Sequence, residues 1–277
     1  MRLPSIQSIG SVALTLLATF DVVYGAGAST YDVSKPKDPK GTLKVALDYS
    51  LATSWPEPYD ASYKGPRPWT WSSHIVFKDP VEKGITDGQL WQIARDAADE
   101  MSVDREQYGI GPRAEPTAMG VLAWGDEIII SSSVKGAGSF SYQFEGGNPE
   151  VLKSLKECQI IWRDTSLPDK NKEHEHKNKG NCAEPMAAHL YYRNNGKDLP
   201  AQNARIGTWV RVGGTWQQID PCGTGEDDFW GCNLFTQNQK MRVLKNDIKP
   251  EAYKLSDIAG GPVKQEQIQL CGSNREF

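Results

Sequence analysis

The chain has 277 residues, 38% of them hydrophobic and 24% charged, with a formal net charge of -4. That length and apolar share allow one good-sized core or two small ones. A mildly acidic chain gets no electrostatic help in holding a polyanion, so non-specific nucleic-acid binding is disfavoured.

Arg2, the apolar run Val12 to Phe20 and the small residues Gly25, Ala26 and Ala28 have the layout of a signal peptide over residues 1–25. The run is too short for a membrane span of about 20 apolar residues. The expectation is a secreted, extracellular protein with no membrane contact after cleavage. Arg2 and Asp21 cancel, so cleavage leaves the net charge unchanged. No Asn-x-Ser/Thr sequon occurs.

Residues 26–85 are rich in Pro, Ser, Tyr and Trp, without a periodic pattern. They read as an extended N-terminal arm or a pro-region. Residues 86–277 then read as one α/β domain. Its first helix is expected from Asp87 to Met101, opened by a Thr86/Gln89 capping box, with Leu90, Ile93, Ala97 and Met101 on one face. Residues 118–133 read as two strands about a Gly125-Asp126 hairpin, the first apolar enough to be buried on both faces. Residues 134–148 read as loop, and Pro149 to Gln159 as a short helix. Residues 164–180 alternate Lys, Glu and His, which reads as a solvated segment. His174 and His176 lie in it and are set aside as ligands on that ground.

A further helix is expected with Asn181 as N-cap, Pro185 in its first turn and Asn194-Asn195-Gly196 as its stop. Residues 205–220 read as strand, with Gly213-Gly214 as a turn or bulge. Beyond Lys245 the pattern is weak. The fold class expected from this order is a three-layer α/β/α arrangement about a mixed sheet.

Five cysteines remain after the leader: Cys158, Cys182, Cys222, Cys232 and Cys271. An odd number cannot all pair within one chain. One partition is two disulfides and a free thiol, the usual outcome outside the cell. The other is a three-cysteine zinc site at Cys182, Cys222 and Cys232 plus a Cys158–Cys271 disulfide. In that second partition Cys182, at the positive end of a helix, is favoured as a thiolate. Glu184, two residues on, faces the coordination position that three protein ligands leave open, and transfers protons there. His189 reads as a packed or surface histidine. It lies about 10 Å along the helix from Cys182, too far for a cysteine–histidine dyad.

Cys-x-Glu at the head of a helix, then Pro-Cys and another Cys after a strand, resembles the zinc-dependent nucleobase deaminases of the cytidine deaminase superfamily. Their pattern is His/Cys-x-Glu followed by Pro-Cys-x-x-Cys. The resemblance spans roughly residues 87–240, and the helix and hairpin of residues 87–133 fit the family's order of elements. It implies a cytidine-deaminase-like fold, Zn²⁺ on Cys182, Cys222 and Cys232, and Glu184 as general acid/base. The substrate it implies is a small-molecule base or nucleoside, or a base within a nucleic acid, with a toxin- or effector-type role for a secreted member. The chain departs from the pattern in one place. Nine residues (GTGEDDFWG) separate Cys222 from Cys232 where the family has two, and Gly223, Gly225 and Gly231 are the means of looping them out. The competing expectation is a secreted, disulfide-stabilised interaction or effector protein without catalysis.

Overall fold

A computed structural model describes residues 31–60, 62, 66–136, 138–165, 176–226 and 228–277. The signal-peptide segment and His174 lie outside the described residues. Within them the chain forms a mixed α/β fold with nine strands in one sheet and seven α-helices.

The segment read as an arm contributes strand β1 (Ala46–Leu47), helix α1 (Tyr49–Ser54), strand β2 (Trp71–Phe77) and the single-turn helix α2 (Val81–Gly84). β2 is an interior strand of the sheet, with Trp71, Ile75 and Phe77 fully buried. Alternation does not reveal it because Ser72, Ser73 and His74 are polar yet buried and paired. His74, for instance, bridges Glu127 at 2.7 Å and Glu266 at 3.0 Å.

Helix α3 (Asp87–Gln107) starts where expected. The Thr86 hydroxyl accepts from the Gln89 backbone N–H at 3.1 Å, and the Gln89 side chain accepts from the Thr86 N–H at 3.0 Å. It continues six residues past Met101 because its polar end is buried with partners. Asp104 accepts from the Leu47 N–H and the Trp71 indole, each at 2.9 Å, and Arg105 donates to Glu115 at 2.7 Å. Burial pushes the Asp104 carboxyl above its ordinary pKa.

Strands β3 (Ala118–Trp124) and β4 (Glu127–Ser132) form the expected hairpin. Met119, Val121, Ala123, Ile128 and Ile130 pack on the α3 side, while Leu122, Trp124 and Ile129 pack on the opposite side. Burial on both faces explains why the hairpin sequence shows no polar alternation. A short helix α4 (Phe140–Gln143) interrupts the expected loop, and helix α5 runs from Pro149 to Thr165. Its last turns leave Ile160 and Ile161 exposed, so no inward apolar face marked them in the sequence.

Helix α6 (Ala183–Asn194) packs on β3 and β4 through Met186, Ala187, Leu190 and Tyr191. Strands β5 (Arg205–Val212) and β6 (Thr215–Ile219) are a hairpin about Gly213-Gly214. Helix α7 (Cys232–Asn238) and strand β7 (Arg242–Val243) follow, then β8 (Pro262–Gln267) and β9 (Arg275–Glu276) from the weakly patterned tail. The sheet order is β6-β5-β3-β4-β2-β8-β9, with β1 beside β2 and β7 beside β5. The mixed character expected of the sheet is confined to one pairing. β5 and β7 are parallel, and every other pair is antiparallel.

One close approach sets the height of α6 on the sheet. A Cβ added to Gly120 of β3 would stand 2.9 Å from the Cβ of Ala183, the first residue of α6. Gly120→Val therefore overpacks this seam and is expected to destabilise the protein by about 1–3 kcal/mol. The urea midpoint should fall with an unchanged slope. Gly196→Ala, with open space around it, should leave the midpoint in place.

Candidate metal centre

Three chain segments meet at one edge of the α6 layer. Cys182 is the N-cap of α6 and does not cap it through its side chain. Asn181, expected as the cap, instead ties down the 138–140 segment. Its side chain accepts from the Phe140 N–H at 3.0 Å and donates to the Gly138 carbonyl at 2.8 Å. Cys222 stands in the turn after β6, and Cys232 is the first residue of α7.

The nine-residue insert closes on itself and brings the two sulfurs together. Asn233 N–H donates to the Cys222 carbonyl at 3.0 Å, and the Asn233 side chain accepts from the Gly231 N–H at 3.0 Å and donates to the Gly223 carbonyl at 2.9 Å. Glycine is required at 231, where a Cβ would lie 2.4 Å from the Cys222 carbonyl oxygen and 2.6 Å from its sulfur. The insert's Trp230 is fully buried and meets the His176 ring edge-on at 5.3 Å. Lys177 fixes the insert twice more, by its N–H to the Trp230 carbonyl at 2.9 Å and by its ammonium to Glu226 at 2.6 Å.

The result is a cluster of His176, Cys182, Cys222 and Cys232 whose ligand atoms all lie within 4.8 Å of one another. The Cys182 and Cys222 sulfurs are 3.6 Å apart. Thiolates on a tetrahedral zinc, at about 2.3 Å from the metal, lie about 3.8 Å from each other. The donor set therefore fits a metal ion such as zinc. All three cysteines singled out in the sequence are brought together. His176 is the member that sequence reading set aside: its charged neighbours suggested solvent, yet it is 1% exposed. The missed signal was the aromatic Trp230 in the insert, whose buried ring packs edge-on against the histidine.

Cys182, Cys222 and Glu184 line a cleft of about 820 Å³, with Thr208, Lys135 and Asp220 among its other walls. Glu184, in the first turn of α6, is 3% exposed. Burial, and then the charge on Cys222, push its carboxyl above the ordinary value of 4.5. Among the sulfurs, Cys222 is held well below a normal thiol by hydrogen bonds from Cys182, then from Cys232 and His176. Cys182 is raised chiefly by that same contact with Cys222, and Cys232 chiefly by burial.

Other expectations are corrected. All five cysteines are free, so neither the Cys158–Cys271 disulfide nor the partition into two disulfides is formed. Cys158 is buried on α5, its thiol pushed up to about 12 by desolvation. His189 is a packed histidine. Its Nδ1 accepts from the Asn148 N–H at 3.2 Å and its Nε2 lies 3.1 Å from the Ser141 hydroxyl. No family model, curated protein or solved structure matches the chain. Among the described residues, no helix is long and apolar enough to cross a membrane.

The raised Glu184 carboxyl has a linkage consequence. The folded state binds this proton more tightly than the unfolded state. Its stabilising contribution is full below pH 4.5 and is lost as pH rises through the elevated folded value. In metal-free protein, Glu184→Gln should therefore gain stability relative to wild type between about pH 4 and about pH 8. Urea titrations at both ends check this, and a constant difference between the two proteins would contradict it.

Proposed function

We propose that the chain is a secreted zinc-dependent deaminase, which hydrolytically removes an amino group from a nucleobase, nucleoside or related amidine. The observation that carries this reading is Glu184. It is a buried carboxyl that shares a cleft wall with Cys182 and Cys222. A purely structural metal site has no use for an acid buried beside its thiols, and burying one is costly. A hydrolytic site needs such a group to carry protons.

The order of elements also supports it. After Cys232 the chain continues with α7 and with β7, which lies parallel to β5. The resemblance implies a helix and a strand after the last ligand, and the short α7 and β7 are compatible with that reading.

Zinc held by Cys182, Cys222 and Cys232 would supply Lewis acidity and an activated water. Glu184 then moves the protons. From the first turn of α6 it takes one from the nucleophile, passes it to a ring nitrogen, and returns a proton to the departing amine. A carbon–oxygen bond forms, the carbon–nitrogen bond breaks, and ammonia leaves. The cleft lining mixes Lys135 and Lys179 with Asp220 and Glu226. This mixed charge favours a small base or nucleoside over a long polyanion. A leader-bearing enzyme of this kind would act as a toxin or effector outside the producing cell.

A second reading, a structural metal centre, is favoured by the His176 imidazole, 3.3 Å from the Cys232 sulfur. Ammonia release from a panel of amino-bearing bases, nucleosides and short single strands separates the two. The deaminase reading expects turnover by the zinc-loaded protein and a drop of about 10²–10⁴-fold in Glu184→Gln with its metal retained. Bound zinc with no ammonia from any member of the panel would favour the structural centre.

A further inference from the structure

His176 can stand in the cluster as a fourth ligand or as a hydrogen-bond donor, and its other ring nitrogen distinguishes the two. The backbone N–H of Asn178 donates to His176 Nδ1 at 3.1 Å. A nitrogen that accepts a hydrogen bond carries no proton, so in the neutral ring the proton sits on Nε2. Nε2 is the atom that faces the sulfurs, 3.3 Å from Cys232 and 3.8 Å from Cys222. A protonated ring nitrogen has no lone pair to give a metal. Metal-bound histidines ordinarily show the reverse arrangement, with the second nitrogen donating to a carbonyl or carboxylate.

The neighbours complete a pattern. Asn178 Nδ2 lies 3.3 Å from the Cys182 sulfur, and the Cys232 backbone N–H donates to the Cys222 sulfur at 3.3 Å. With His176 Nε2 on Cys232, each of the three sulfurs has its own N–H donor. Three thiolates on one zinc carry a net negative charge, and charge-assisted N–H bonds to sulfur offset it in a buried site. His176 and Cys232 also lie behind the cleft wall formed by Cys182, Cys222 and Glu184.

We infer that His176 is a positioning residue outside the metal's ligand set: its Nε2–H holds the Cys232 and Cys222 sulfurs, and the metal is bound by three thiolates with its fourth position left to a non-protein ligand from the cleft. This rests on the metal-site reading proposed above and fixes the ligand count within it. It also explains why a histidine belongs here at all. The segment 176–182 supplies one ligand, Cys182, and two of the three donors, His176 and Asn178, from a single turn pinned to the insert.

X-ray absorption at the zinc edge of the intact, zinc-loaded chain tests the inference without any substitution. The expected spectrum has three sulfurs at about 2.3 Å, one light-atom neighbour, and none of the multiple scattering that an imidazole ligand produces. His176→Gln should keep the same sulfur shell and one zinc per chain, while zinc affinity falls by about 10–100-fold. Imidazole scattering in the wild type, absent from His176→Gln, would overturn the inference and leave a closed four-ligand metal site. Failure of the wild type to retain any zinc would overturn the metal-site reading and this inference together.

Discussion

Drawing three cysteine sulfurs and a carboxylate into one buried spot is the constraint on which the site depends. Once ionised these groups repel. Without metal, protonation relieves that repulsion: the contact with Cys222 pushes Cys182 up, burial pushes Cys232 and Glu184 up, and hydrogen bonds from Cys182, Cys232 and His176 hold Cys222 down. A divalent cation relieves it in the opposite way, by releasing the thiol protons and binding the sulfurs directly. The cluster is therefore poised between a protonated state and a metal-bound state.

The scaffold makes this arrangement rigid. α6 stands on β3 at a height fixed by the Gly120–Ala183 contact, which places Cys182 and Glu184 at the helix head, where the dipole favours negative charge. Cys222 stands three residues past the end of β6, the strand at the sheet edge. Cys232 begins α7, and the stitched insert between them returns the chain to within hydrogen-bonding distance of where it left. The buried Trp230 anchors that insert from below. Nine intervening residues are thereby compatible with two sulfurs in one site.

Much of this was legible in the sequence. The capping box at Thr86, the hairpin at Gly125-Asp126 and the Gly213-Gly214 turn follow from local chemistry, and the grouping of Cys182, Cys222 and Cys232 from cysteine arithmetic and the resemblance to the deaminase pattern. What was not legible depends on partners distant in the chain. β2 is polar yet interior because its side chains pair with Glu127 and Glu266 across the sheet. The last turns of α3 look solvated until Leu47, Trp71 and Glu115 meet them. His176 sits among lysines and glutamates, and only the folded-back Trp230 makes its surroundings apolar. The disulfides expected of an extracellular chain are not formed, since three of the five cysteines are committed to one another as a cluster.

The central claim is that these sulfurs are metal ligands. Zinc content of the purified chain, with free thiols counted before and after a chelator, tests it most directly. One zinc per chain is predicted, with Cys158 and Cys271 titrating under denaturing conditions throughout and Cys182, Cys222 and Cys232 becoming reactive only when the metal is removed. A chain that holds no zinc, with those three thiols reactive from the start or oxidised to a disulfide, would contradict the account.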